Sequence, residues 1–323
     1  MKAIRFSKTG GPDVLMLQDI ELPPPGPGQV RVRHTVIGVN FIDTYQRSGL
    51  YPVPLPSGLG LEAAGTVDAL GANVQSLKIG DRVAYCSGPI GAYAEANNVP
   101  ADRVVKLSAA ITDEVAAASL LKGMTAQYLL KRTHAVQRGE TILFHAAAGG
   151  VGLIACQWAK HLGATVIGTV GSESKVALAK ENGCDHVLST HDSDWPKKLR
   201  ELTDGKGVPV VYDSIGKETW GGSLDCLAVR GLMVSFGNSS GAVPAFEPGI
   251  LAGKGSLYLT RPTLAHYTRD AQELQATAND LFDVIGSGIV KITIHQRFAL
   301  AEARAAHEAL HSRNTTGATV LIP

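Results

Sequence analysis

The chain has 323 residues, 45% hydrophobic and 18% charged, with 36 glycines and 16 prolines, which suits a large core in two domains. A formal net charge of +1 gives no electrostatic reason to expect nucleic acid or an anionic membrane as partner. No apolar run is long enough to span a bilayer, and the opening Met1-Lys-Ala-Ile-Arg-Phe6 reads as a strand without the apolar core of a signal peptide.

The first third reads as antiparallel β. Short β-rich runs at residues 4–6, 15–19, 29–39, 64–69, 82–85, 92–98 and 103–106 are punctuated by Gly10-Gly-Pro12, Pro23-Pro-Pro-Gly-Pro-Gly28 and Gly80-Asp81. That pattern predicts a compact barrel-like domain. A helix is predicted over 112–130, with Asp113 and Glu114 in its first turn, where the helix dipole favours negative charge. The rhythm then changes to alternation. Strand-like runs at 141–146, 165–170, 186–188, 208–212, 232–236 and 256–260 have helix-like runs between them, for example 175–182 and 195–203. Such alternation predicts a doubly wound parallel sheet and an α/β fold class. Two helical patterns, 270–285 and 300–310, precede a β-like 318–322, which is expected to return to the first domain. The expected division is 1–123 with 263–323 for the first domain and 124–262 for the second. Cys86, Cys156, Cys184 and Cys226 are scattered without a C-x-x-C pair, as in a reduced, cytoplasmic protein.

The most informative stretch is Thr141-Ile-Leu-Phe-His-Ala-Ala-Ala-Gly-Gly-Val-Gly152, where an apolar strand runs into a turn of tiny residues that opens a helix. Ala147-x-Gly149-x-x-Gly152 is a variant of the dinucleotide-binding fingerprint, with alanine at the first glycine position. A Cβ at Gly149 would hold the backbone away from a pyrophosphate, and one at Gly152 would push helix and strand apart. Gly150 and Val151 are placed to face the pyrophosphate at the helix N-terminus.

Several co-linear motifs carry a resemblance that runs essentially the whole length. They are Gly38-Val-Asn-Phe-Ile-Asp-Thr-Tyr45, Arg47-Ser-Gly-Leu-Tyr-Pro52, Pro56-Ser-Gly-Leu-Gly-Leu-Glu-Ala-Ala-Gly65, Gly80-Asp-Arg-Val83, His145-Ala-Ala-Ala-Gly-Gly-Val-Gly152, Val211-Tyr-Asp-Ser-Ile-Gly216 and Ser235-Phe-Gly-Asn-Ser-Ser240. The chain resembles the medium-chain dehydrogenase/reductase superfamily, and within it the zinc-free quinone oxidoreductases related to zeta-crystallin. The resemblance implies a GroES-like β-barrel-type catalytic domain plus a Rossmann domain. Zinc-using relatives carry Gly-x-Cys-x-x-Asp and Gly-His-Glu, whereas the aligned positions here read Gly38-Val-Asn40-Phe-Ile-Asp43 and Gly60-Leu61-Glu62. An amide is a poor zinc ligand and leucine is none, and the four-cysteine zinc lobe is missing too, so no metal is expected. Glu62 is read as organising the glycine-rich turn rather than as catalytic.

Without a metal, and with no Tyr-x-x-x-Lys pair among the eight tyrosines, the hydride acceptor should itself be electrophilic. Quinones and α,β-unsaturated carbonyls fit. The strand ending at Val170 leads into Gly171-Ser-Glu-Ser-Lys175, with no acidic residue at its tip to grip a ribose 2′-hydroxyl. Gly171, Ser172 and Lys175 suit a 2′-phosphate and so NADPH, with Glu173 the discordant neighbour.

In the resembling family, the Asn-Phe-Ile-Asp-Thr-Tyr segment lies beside the nicotinamide at the cleft between domains. Carried over, Asn40, Tyr45 and Tyr51 become the candidate catalytic residues, and Phe41, Ile42, Asp43, Thr44 and Tyr45 line the cofactor. Thr125 and Tyr128 resemble positions near the nicotinamide ribose and ring. Ser214, Phe236, Gly237, Asn238, Ser239, Thr260 and Arg261 follow Rossmann strands, where loops meet ligand. Arg313 resembles a family residue that reaches the cofactor. The leading reading is an NADPH:quinone oxidoreductase. An NADPH-dependent alkenal or enone reductase shares every cofactor residue. A cofactor-bound RNA-binding or crystallin-like structural protein is the reading of another class, and neutral charge weighs against its RNA form. The strand at 255–260 resembles the family's Rossmann edge, which implies a homodimer.

Overall fold

The computed structural model describes residues 1–312 and 315–323. Its two units are Met1–Met124 with Thr268–Gly286 and Ile292–Pro323, and Thr125–Tyr267 with Ser287–Lys291. The chain enters the first unit through β1 (Lys2–Phe6), β2 (Met16–Asp19), β3 (Gln29–Val39), α1 (Phe41–Ser48), β4 (Ser57–Gly58), β5 (Glu62–Leu70), β6 (Arg82–Tyr85), β7 (Ala96–Pro100) and β8 (Val105–Lys106), and α2 (Asp113–Tyr128) begins in this unit and ends in the second. The second unit holds β9 (Thr141–Phe144), α3 (Gly150–His161), β10 (Thr165–Val170), α4 (Val176–Glu181), β11 (His186–Ser189), α5 (Trp195–Leu202), β12 (Val208–Asp213), α6 (Trp220–Cys226), β13 (Leu227–Ser235), α7 (Gly249–Gly253) and β14 (Tyr258–Thr260). Then α8 (Ala271–Gly286), β15 (Ile294–Ala299), α9 (Ala303–His311) and β16 (Ala318–Ile322) complete the chain.

In the first unit β3 organises the larger sheet, of order β15-β16-β3-β5-β6-β8 with β7 also paired to β3. Its pleat sends Val30 and Val32 into a core with Leu59, Val67, Val83 and Tyr85 while Arg33 faces water, and Ile37, beyond a register shift at residues 34–36, joins the same core. Burying each large apolar side chain there contributes roughly 1.5–3 kcal/mol. The terminal strand does return, with β16 antiparallel to β3 and Val320 opposite Gly38. Asn40 thus leaves the sheet from its best-supported strand.

The second unit carries one six-stranded sheet, ordered β11-β10-β9-β12-β13-β14, with every pair parallel. This is the doubly wound order, and its direction reverses between β9 and β12. Leu143, Ile167, Val208, Val211 and Met233 fill its core. All its strand ends that carry candidate residues therefore lie on one edge.

Some boundaries differ from the sequence expectation. The strand expected to reach residue 146 stops at Phe144, because Ala146 is left-handed at φ 51° and turns the chain. The run expected at 92–98 is ordered as strand only from Ala96, and Tyr93 instead receives the N–H of Ile4. The helix expected to 130 ends at Tyr128 and opens into a π-type turn, Leu129–Thr133. Among the described residues, no helix is long and apolar enough to cross a membrane.

Candidate active site

In the first unit the candidate residues converge on α1. Asn40 is extended (φ −133°, ψ 154°), and its N–H donates to the Asp43 carboxylate at 2.8 Å, one half of a capping box. Gly49 closes the helix at φ 86°, a left-handed position that favours glycine. Phe41, Tyr45 and Tyr51 form an aromatic group: Tyr45 meets Tyr51 edge-on at 5.2 Å between centroids and Phe41 at 6.3 Å. Phe41 is exposed, and Tyr45, Tyr51 and Ile42 are half-buried. Edge-on packing fixes the two tyrosine rings against each other.

Asp43 is different, being wholly buried. Besides the Asn40 N–H, its Oδ2 accepts the Tyr93 hydroxyl at 2.9 Å. That hydroxyl also faces His307 Nε2 at 3.1 Å, and His307 Nδ1 faces Arg47 at 3.2 Å. Burial pushes the Asp43 carboxyl up to about 7 and His307 down to about 3. Thr44 is also buried, with its hydroxyl donating to Phe41 O at 2.7 Å. Asp43 and Thr44 therefore shape the segment from within.

Asn40 is nearly buried, and its side-chain N–H donates to Glu62 Oε2 at 2.8 Å. Glu62 is completely buried and also accepts the Leu121 N–H at 2.6 Å, while Lys122 Nζ lies 3.4 Å from Oε2. No local sequence signal marks Lys122, Tyr93 or His307, because each is a buried polar partner from a distant element. His307 and His311 stand four apart on α9, a metal-pair spacing, yet the His307 ring nitrogens face Tyr93 and Arg47. Among the described residues, no group of three or more His, Cys, Asp or Glu is placed to hold a metal ion.

In the second unit the candidate residues gather at the carboxyl edge of the parallel sheet. Gly149 is the N-cap of α3, and Leu153 N–H is the donor that reaches back to its carbonyl at 2.9 Å. The N–H groups of Gly150, Val151 and Gly152 lead the helix and have no carbonyl of their own helix to bond. A Cβ on Gly152 would stand 2.3 Å from Ala146 O and 2.7 Å from Ala147 O, whereas one on Gly149 would meet Ala146 O at 3.1 Å. The close approach of α3 to the turn after β9 thus depends on Gly152, and a bare backbone at Gly149 fits a diphosphate. Ala147 is buried, its N–H donating to Thr169 O at 2.9 Å.

After β10, Gly171 is exposed, and Ser172 opens the short turn Glu173–Lys175, with Lys175 half-buried and Glu173 exposed. After β12 and β13, the loops holding Ser214 and Phe236–Ser239 are tied together by Ser239 N–H to Ser214 O (3.1 Å). Phe236 N–H donates to Asp213 O at 2.7 Å. Gly237 allows this contact, since a Cβ there would stand 2.6 Å from Ser214 O. Thr260 ends β14, and the exposed Arg261 donates to Ser235 O at 3.0 Å. Thr125 is half-buried, and Tyr128, on the same helix, is buried and stacks on Tyr267 at 4.5 Å. Arg313 lies outside the described residues.

A buried network underlies these loops and was not singled out from the sequence. Asp213 Oδ1 accepts the N–H groups of Ile215 and Gly216, and its Oδ2 accepts the hydroxyls of Thr219 and Ser223. His145 sits between Thr169 (2.8 Å) and Ser223 (2.9 Å), and burial depresses its proton affinity. The network joins the ends of β9, β10 and β12 to α6.

Comparison with known proteins adds to this geometry. A family model described as "Alcohol dehydrogenase GroES-like domain" matches residues 26–109, and one described as "Zinc-binding dehydrogenase" matches residues 150–282. A quinone oxidoreductase of Pseudomonas aeruginosa is 56% identical over 100% of this chain and 99% of its own length. The crystal structure of Escherichia coli quinone oxidoreductase complexed with NADPH superposes with a TM-score of 0.99 at 52% identity, covering 100% of both chains. A 2-haloacrylate reductase of a Burkholderia species is 46% identical over 98% of this chain and 97% of its own length.

Proposed function

Since the chain belongs to the quinone oxidoreductase family of the medium-chain dehydrogenase/reductase superfamily, we propose that it carries reducing equivalents from NADPH to small quinones without a metal. The observation that carries this reading is the end-to-end match, at 52% identity, to a quinone oxidoreductase crystallised with NADPH. Bound NADPH supplies a hydride. The chain's own residues bind and orient.

The α3 N-terminus with Gly149, Gly150 and Val151 holds the diphosphate. Gly171, Ser172 and Lys175 receive the 2′-phosphate, and Ser214, the Phe236–Ser239 loop, Thr260 and Arg261 hold the remainder together with Thr125 and Tyr128. Tyr45 on α1 and Tyr51 just beyond it stack on the quinone, and Asn40 at the N-cap of α1 hydrogen-bonds it. A reduced quinone takes its protons from water, so no dedicated acid is required. The enzyme works as a cytoplasmic homodimer with no nucleic-acid partner, a reading supported by its near-neutral charge and by β14 at the sheet edge.

The test is oxidation of NADPH and of NADH by purified, chelator-treated enzyme, each with a small benzoquinone and a simple enone. Fast, chelator-insensitive turnover with NADPH and quinone is expected. Turnover with the enone alone would move the function to double-bond reduction.

A further inference from the structure

We propose that Glu62 and Lys122 are positioning residues for quinone reduction: the carboxylate fixes the Asn40 amide, and the ammonium cancels the charge this would otherwise place in the site. The inference rests on the quinone reading above. Two donors, Asn40 Nδ2 at 2.8 Å and Lys122 Nζ at 3.4 Å, converge on the single oxygen Glu62 Oε2. Its other oxygen takes the Leu121 N–H, a helix-interior donor, at 2.6 Å. Neither charged group is open to water: the Glu62 side chain is 0% exposed and that of Lys122 8%.

The backbone is built around this carboxylate. A Cβ on Gly38 would stand 2.3 Å from Glu62 Oε2 and 2.2 Å from Ala117 O, so β3 meets α2 closely only because residue 38 is glycine. A carboxylate can only accept hydrogen bonds. The Asn40 amide must therefore turn its NH₂ toward Glu62, which fixes the direction of its carbonyl oxygen as well. Neutral asparagine thus stands in a defined orientation beside the aromatic group of α1.

Stability alone is a poor reason for such a pair. Buried ion pairs are often no better than apolar residues of the same volume, while removing one partner leaves a costly naked charge. The chemistry gives the reason. As a quinone accepts a hydride equivalent, its oxygen becomes negative until a proton arrives from water, and the product is the hydroquinone. A buried, uncompensated carboxylate next to Asn40 would oppose that charge. The Lys122 charge already acts in this region, drawing the Asp43 carboxyl down where Glu62 pushes it up.

The experiment compares the parent with K122M, K122R and E62Q. It reads kcat and KM for NADPH with 1,4-benzoquinone, NADPH affinity by nucleotide fluorescence, and melting temperature. K122M is expected to lower kcat about tenfold or more while NADPH affinity holds, with K122R recovering most of the loss. E62Q is expected to lower kcat similarly, because its NH₂ lets the Asn40 amide reverse. If K122M keeps the parent kcat, or if K122R is as poor as K122M at unchanged melting temperature, the charge role is overturned. Should K122M fail to fold, E62Q decides: a parental kcat there overturns the positioning role. A parent enzyme inert toward benzoquinone would overturn the quinone reading and this pair with it, whereas an active parent with indifferent variants overturns the pair alone.

Discussion

The Tyr93 hydroxyl donates a 2.9 Å hydrogen bond to the Asp43 carboxylate, and neither side chain is exposed to solvent. Through the same hydroxyl, Asp43 on α1 is joined to His307 on α9. Asp43 also holds the N-cap of the helix that carries the quinone candidates. The relay therefore links the placement of those residues to two titrating groups.

Those groups drive stability in opposite directions with pH. Folding raises Asp43 from 3.8 to about 7, so the folded chain holds a proton that the unfolded one has lost, and stability falls as pH rises between those values. Folding lowers His307 from 6.5 to about 3, so the unfolded chain binds the extra proton and stability rises with pH in the overlapping window. In the parent the two slopes largely cancel. Asp43→Asn is expected to steepen the rise of unfolding free energy between about pH 4.5 and 6 by about 1.4 kcal/mol per pH unit relative to the parent. His307→Gln should tilt it the other way. Urea unfolding across that range measures both, and parallel profiles for parent and Asp43→Asn would refute the account.

How much of this was legible beforehand follows from what each signal measures. The parallel sheet was readable because its strands are continuously apolar and its turns are marked by glycine. The α1 helix is not legible from periodicity, because its buried residues are Asp43, Thr44, Gln46 and Arg47 and hydrophobic periodicity cannot register a polar inner face. Its caps were nonetheless present, with Asn40 and Asp43 three apart and Gly49 at the end. In α6, Trp220-Gly-Gly-Ser lacks the propensity expected of a helix, and the Thr219 and Ser223 bonds to Asp213 help to hold it. The Glu62–Lys122 pair joins residues sixty apart. Only the fold brings them together.

Lys175 tests the cofactor choice. It is half-buried at the end of the turn after β10, with burial lowering its proton affinity below that of an ordinary lysine. Lys175→Ala should raise KM for NADPH about tenfold or more, the scale of one charge-assisted hydrogen bond, and leave KM for NADH nearly unchanged. Equal effects on the two nucleotides would remove the phosphate role.

The two fingerprint glycines should fail differently. A methyl on Gly152 would lie 2.3 Å from Ala146 O in the turn after β9, so α3 must move off that turn, and Gly152→Ala should cost about 1–3 kcal/mol of stability as well as cofactor binding. At Gly149 the nearest atom to such a methyl is 3.1 Å away and φ is −83°, which any residue adopts. Gly149→Ala should melt close to the parent yet bind NADPH more weakly. Thermal melting with nucleotide titration separates these outcomes, and unimpaired binding by Gly149→Ala would break the diphosphate assignment.

The sheet edge gives the last prediction. β14 is the end strand of the parallel sheet, and Tyr258 on it is 60% exposed, near-neighbour in the sheet to β13, whose Val229 is 74% exposed. An exposed apolar edge strand invites pairing with another chain, and lysine is a residue natural edges use to prevent it. If two copies pair through β14, Tyr258→Lys should convert a dimer to a monomer in size-exclusion chromatography with light scattering at micromolar concentration. Its melting temperature would then depend less on protein concentration than the parent's. A parent already monomeric under those conditions would rule the pairing out, and a variant that remains dimeric would place the interface elsewhere.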